Sequence, residues 1–153
     1  MYNSISGSGP QLTDDTIARV EDEMRRKIPL PFRSFLLTHN GGRPDGGDFI
    51  AAESPAGTSP EGTIKSFLGV GMPERTFNLD YVLSTFAGRI PDWCFPVARD
   101  PGGNLVLLAE TGPDAGKVYF WDHELEAEEG QPPTNANLYF IADSFGDFLE
   151  SLT

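Results

Sequence analysis

A chain of 153 residues, 39% hydrophobic and 11% aromatic, is long enough for one domain that buries about 70% of its unfolded surface without covalent staples. Its formal charge of −12 argues against nucleic acid and anionic membranes as partners, since both need clustered Lys and Arg; it suits a basic protein. The single cysteine, Cys94, excludes an internal disulfide and fits a reducing compartment.

The first ten residues lack the basic and apolar stretches of a signal peptide, and no apolar run reaches bilayer length, so a soluble, cytoplasmic protein is expected. Residues 1–12, polar and rich in Gly and Ser, read as a flexible lead, with residues 13–153 forming the single domain. Thr13 is placed to cap a helix running from Asp14 to about Lys27, with Asp14 and Asp15 in the first turn and Ile17, Val20 and Met24 on one face. Pro29 ends it. A second helix starts near Pro31, buries Phe32, Phe35 and Leu36, carries His39 and Asn40 in its last turn, and closes on Gly41-Gly42.

Asp48 to Ala52 reads as a strand, Ser54 to Gly62 as a linker, and Thr63 to Leu68 as a further strand. Asn78 is placed to cap a short helix with Leu79, Val82, Leu83 and Phe86 on its face. The stretch Phe95 to Asp122 reads as three strands joined by Gly/Pro turns. Its middle strand, Leu105 to Ala109, has no polar residue on either face, which marks it as interior to a sheet and covered by helices. Lys117 to Trp121 alternates Val118 and Phe120 against Tyr119 and Trp121. Glu124 to Asn137 is an acidic, Pro-bearing loop. Leu138 to Ala142 is a last strand, feeding a helix capped by Asp143 or Ser144 whose stripe is Phe145, Phe148, Leu149 and Leu152.

The run Ile28-Pro-Leu-Pro-Phe-Arg-Ser-Phe-Leu-Leu-Thr-His-Asn-Gly-Gly42 resembles the signature of the SMI1/KNR4 (SUKH) superfamily. Later segments follow the family order: Phe49-Ile50, the helix around Asn78 to Ala87, Phe95 to Asn104, Val118 to Glu124, and Ser144 to Leu149. Together they cover about Thr13 to Leu152, with Ile28 standing where a Gly-bearing turn is common. The resemblance implies an α+β fold in which a mixed, mostly antiparallel sheet of five or six strands carries helices on one face. It also implies an intracellular, non-enzymatic binding protein similar to the immunity proteins that neutralise a cognate polymorphic or contact-dependent toxin, often a nuclease. A regulatory or scaffold module in cell-wall or signalling control is the alternative the family allows, and a hydrolase is the second alternative.

Side chains with chemistry are few. Cys94, His39 and His123 are the types a thiolate–imidazole pair needs, but Cys94 lies between Trp93 and Phe95, where a buried, inert thiol is expected. Asp122-His123-Glu124 supplies metal-ligand types, yet strand neighbours point to opposite faces and no second histidine stands at ligand spacing. Asp45-Gly-Gly-Asp48 lacks the alternating oxygen donors of a calcium loop, and Asp100-Pro-Gly-Gly-Asn104 is hairpin chemistry without a phosphate-binding lysine. No catalytic residue, metal or cofactor is therefore expected. The polar feature that remains is the acidic run Asp122, Glu124, Glu126, Glu128 and Glu129. It reads first as a solvated loop and, as the candidate site, as a patch that docks Lys and Arg of a partner, with Trp121 or Tyr139 as aromatic anchors and the loop bearing Asp45 and Asp48 as the other candidate surface.

Overall fold

The computed structural model describes residues 2–52 and 60–153. Among these residues the chain runs β1 (Ile5–Ser6), α1 (Asp14–Met24), α2 (Leu30–Thr38), β2 (Arg43–Pro44), β3 (Asp48–Ile50), β4 (Glu61–Thr63) and β5 (Ser66–Phe67). It continues through α3 (Leu79–Thr85), β6 (Cys94–Arg99), β7 (Leu105–Ala109), β8 (Val118–Trp121), β9 (Leu138–Ala142) and α4 (Phe145–Ser151).

The five strands β5-β6-β7-β8-β9 form one antiparallel sheet in sequence order. β7 stands at its centre, and every residue from Leu105 to Ala109 is buried. An all-apolar strand has no face it can turn to water, and the middle of a covered sheet is the place that satisfies it. The register puts Val106, Leu108, Phe95, Ala98, Phe67 and Phe120 on one face. Phe32 of α2 packs on Phe95, Phe35 on Phe67, and Phe145 of α4 joins both, so aromatic rings form the seam between sheet and helices. The α+β domain expected from the sequence is thus observed. The other face is closed at one end by Phe86, at the C-terminal end of α3, which meets the buried Trp121 edge-on at 5.6 Å.

Local chemistry explains the helix limits. Thr13 and Thr16 form a reciprocal capping box, and Asp14 and Asp15 sit in the first turn. α1 stops at Met24, three residues before Lys27, because Arg25 turns left-handed at φ 54° and its N–H returns to the Asp22 carbonyl. Glu21 is buried in that turn, where its carboxylate accepts the Ile28 N–H at 2.8 Å. α2 buries Phe32, Phe35 and Leu36 as the spacing predicts, but ends at Thr38, leaving His39 extended. Gly41 and Gly42 still take positive φ, where they bring the chain against Phe67.

Residues 2–12 make contacts with the rest of the chain: β1 pairs with β2, Asp45 accepts the N–H groups of Asn3 and Ser4 at 2.6 and 3.1 Å, and the buried Asn40 donates to the Pro10 carbonyl. These contacts reach residues 30 or more positions away. Three expectations are corrected. The strand expected at Thr63 to Leu68 divides into β4 and β5, since Ile64 and Lys65 leave β4 to bond Gly47 and Arg99 respectively. The expected linker Ser54 to Gly62 accordingly gives Glu61 and Gly62 to β4, and its first six residues lie outside the described residues. Asn78 does not cap α3 with its side chain; the amide turns back to accept the Met72 N–H at 2.7 Å.

Candidate functional site: the acidic loop and its cleft

β8 ends in Trp121, and the chain leaves the sheet as Asp122. The Asp122 carboxylate accepts the Glu124 N–H at 3.0 Å and so starts a 3-10 turn over His123–Leu125. Asn137, buried just before β9, donates to the Asp122 carbonyl and closes the neck of the loop. His123 is fixed on the other side: Asn104 Oδ1 accepts both its N–H (3.0 Å) and its Nδ1 (2.6 Å). Asn104 donates its own amide to Asp100, which assigns the ring proton to Nδ1.

Glu126 anchors the loop's middle. Arg89, just beyond α3, grips its carboxylate with a two-pronged fork at 2.8 and 3.1 Å. That hydrogen bond holds the Glu126 carboxyl below the ordinary glutamate range and raises the Arg89 guanidinium in turn. The guanidinium also lies 4.4 Å over the Phe86 ring, which in turn meets Trp121. A continuous chain of contacts, Glu126–Arg89–Phe86–Trp121, therefore ties the polar loop to the core.

Between Ala87–Arg89 and residues 126–133 lies a cleft of about 890 Å³, walled by Glu126, Glu128, Glu129, Pro132 and Pro133. Of the five carboxylates expected to dock a partner, Asp122 and Glu126 are occupied in building the loop. Glu124, Glu128 and Glu129 are exposed and in no ion pair among the described residues. Trp121 is fully buried, so it is a core residue and no anchor, and Tyr139 is half-buried. Leu125 was missed by sequence reasoning. It stands 56% exposed among the glutamates, and the signal for it was a lone leucine in an acidic run. Asp45 and Asp48 belong elsewhere: Asp45 clamps β1, and the Asp48 backbone pairs with Thr153.

The reactive side chains do not converge. Cys94 is opposite Ala109 at one end of β7, whereas His123 lies two residues beyond Trp121, which is opposite Leu105 at the other end. His39 packs its ring against Phe35 and Tyr2. Burial first, and then Glu110, push the Cys94 thiol up to about 12, far from thiolate formation at neutral pH. Among the described residues no three His, Cys, Asp or Glu side chains come together as metal ligands, and no helix is long and apolar enough to cross a membrane.

The profile of the SMI1 / KNR4 family (SUKH-1) matches residues 11–151. YokK, an uncharacterised protein derived from the SPbeta prophage of Bacillus subtilis (strain 168), is 24% identical, with 92% of this chain aligned to 74% of that protein. A crystal structure of a protein from Pseudomonas syringae pv. tomato superposes with a TM-score of 0.51 at 19% identity, covering 84% of this chain and 80% of that one.

Proposed function

This chain belongs to the SMI1/KNR4 family (SUKH-1), and from that premise we propose that it is a non-enzymatic immunity protein that binds and neutralises a basic protein toxin through the acidic loop. The observation that carries the proposal is Leu125, exposed on the same loop as the free carboxylates of Glu124, Glu128 and Glu129, a loop that Arg89 and Asp122 already hold in shape. A desolvated apolar contact inside a charged rim is the usual anatomy of a protein–protein hot spot. Ordering the loop in the free protein reduces the entropy lost on binding. The rim carboxylates would steer Lys and Arg of the partner, and the bound loop would occlude the toxin without making or breaking a covalent bond. The prophage origin of the Bacillus subtilis relative supports the same reading, since it places a protein similar to this chain among those derived from a mobile element.

The test is co-expression with the toxin encoded beside the gene. The wild-type protein should restore growth and co-purify with the toxin domain. Glu128→Lys combined with Glu129→Lys should slow association about tenfold and flatten its salt dependence. Rescue and binding unchanged in that double variant would remove the loop from the interface, and failure of the wild-type protein to rescue or bind would remove the toxin reading altogether.

A further inference from the structure

The acidic loop is held from outside by Asn137 at the Asp122 carbonyl, by Arg89 at Glu126, and by Asn104 at His123 between them. The 3-10 turn that presents Glu124 and Leu125 starts at His123. Its internal bonds, from the Glu124 N–H to the Asp122 carboxylate and from the Leu125 N–H to the Asp122 carbonyl, give it shape but no place relative to the sheet. Asn104 supplies the place. Its Oδ1 accepts the His123 main-chain N–H at 3.0 Å and the ring Nδ1–H at 2.6 Å, so one oxygen fixes both the position of the residue and the direction of its ring. Nδ1 carries a proton in the neutral ring held this way and in the charged ring alike, so the hold does not depend on the charge of His123.

Asn104 is itself firmly set. It stands immediately before Leu105, where the buried strand β7 begins, and its carbonyl accepts the Asp100 N–H at 3.1 Å to close the turn from β6. The Asp100 carboxylate takes the Asn104 N–H on one oxygen at 2.7 Å and the side-chain amide on the other at 2.8 Å. Gly103 turns left-handed at φ 88°, and a Cβ placed there would meet the His123 ring at 3.6 Å, so the turn and the loop lie in contact. The path of contacts therefore runs from the central strand through Asp100 and Asn104 to His123, and so to Glu124 and Leu125. We propose that Asn104 is a positioning residue for partner capture: from the β6–β7 turn it sets where Glu124 and Leu125 stand before the partner arrives. The proposal rests on the toxin reading and deepens it, because a loop already in its bound shape loses less entropy on binding.

The test uses the full chain, free and with the toxin domain encoded beside its gene. In the free protein, Asn104→Ala should raise amide exchange at Glu124, Leu125 and Glu126 and leave residues 128–131 unchanged. Against the toxin domain it should weaken binding about tenfold, and His123→Phe, which keeps the main-chain bond, about threefold. The two losses should not add, because both variants release the same hold. Neither variant removes a carboxylate, so the salt dependence of binding should stay that of the wild type. Exchanging the pair, Asp100→Asn with Asn104→Asp, keeps every donor–acceptor contact and the net charge, and should restore affinity. A role confined to folding would lower stability and leave the affinity of the folded protein untouched. Affinity or loop exchange unchanged by Asn104→Ala, losses that add, or no recovery in the exchanged pair would overturn the proposal and leave the toxin reading standing. A wild-type chain that does not bind the toxin domain would overturn both.

Discussion

The two ends of the β7–β8 hairpin use similar materials in opposite ways. At the Leu105–Trp121 end the chain exits into the acidic loop, where one cation, Arg89, is consumed in fixing Glu126 and three glutamates remain free. At the Ala109–Gly116 end, Glu21 accepts the Ile28 N–H and Glu110 pairs with Arg26, so both carboxylates are consumed in fixing the turn after α1. Each end exposes one leucine, Leu125 or Leu30. The rise of an extended strand puts the two ends of β7 only about 13 Å apart. The difference teaches that net charge describes a chain poorly. What a surface offers a partner is the charge left over after the fold's own ion pairs are subtracted.

If the acidic end is held by the core and the Leu30 end only rests on it, the two should break differently. Trp121→Ala removes a fully buried ring from under Phe86 and Arg89, and should cost about 3–5 kcal/mol in chemical denaturation. Leu30→Ala, at an exposed site, should cost no more than about 0.5 kcal/mol in the same assay. Near-equal losses would mean that the acidic loop is not anchored through the Glu126–Trp121 chain.

A smaller effect sharpens the same contrast. Arg89→Ala removes the fork to Glu126, but the arginine side chain is 40% exposed and solvent screens the pair, so stability should fall by about 1 kcal/mol or less. Amide exchange should rise across residues 124–131 and stay unchanged across residues 27–33. The pH dependence follows from the depressed Glu126 value. The stability this carboxylate contributes is present above the ordinary glutamate value of 4.5 and is lost as pH falls through its lowered folded-state value. The stability gap between wild type and Glu126→Gln should therefore close only as pH drops below about 4.5. A gap that stays constant down to pH 2 would remove Arg89 as its source.

The smallest signal belongs to the other end. Cys94, pushed up to about 12, should resist a thiol reagent at pH 8 until the protein unfolds. Rapid labelling of the native protein would show that β6 and β7 part at the Ala109 end.

Where the sequence was readable, a local pattern met an unambiguous environment. Leu105 to Ala109 has nothing polar to turn outward, Thr13 precedes two aspartates, and Phe145 and Phe148 recur at helical spacing. Leu138 to Ala142 fell within its observed bounds for the same reason. The acidic loop was legible as composition, but not its anatomy. Arg89 lies 37 residues from Glu126, and no spacing rule reaches that far. Trp121 reads from the sequence as an aromatic anchor for a partner, because the sequence does not show Phe86 arriving from α3 to cover that face. The contacts of residues 2–12 rest on Asp45 and Asn40, polar side chains that read locally as turn residues and act instead across 30 or more positions.

The central claim is that carboxylates left free on an anchored loop seize a basic toxin. It is tested most directly by the affinity of the purified chain for its cognate toxin domain across a salt series. Wild type should weaken steeply as salt rises, and Glu124→Lys combined with Glu128→Lys and Glu129→Lys should bind at least tenfold more weakly at low salt. An affinity indifferent both to salt and to those three substitutions would contradict the account.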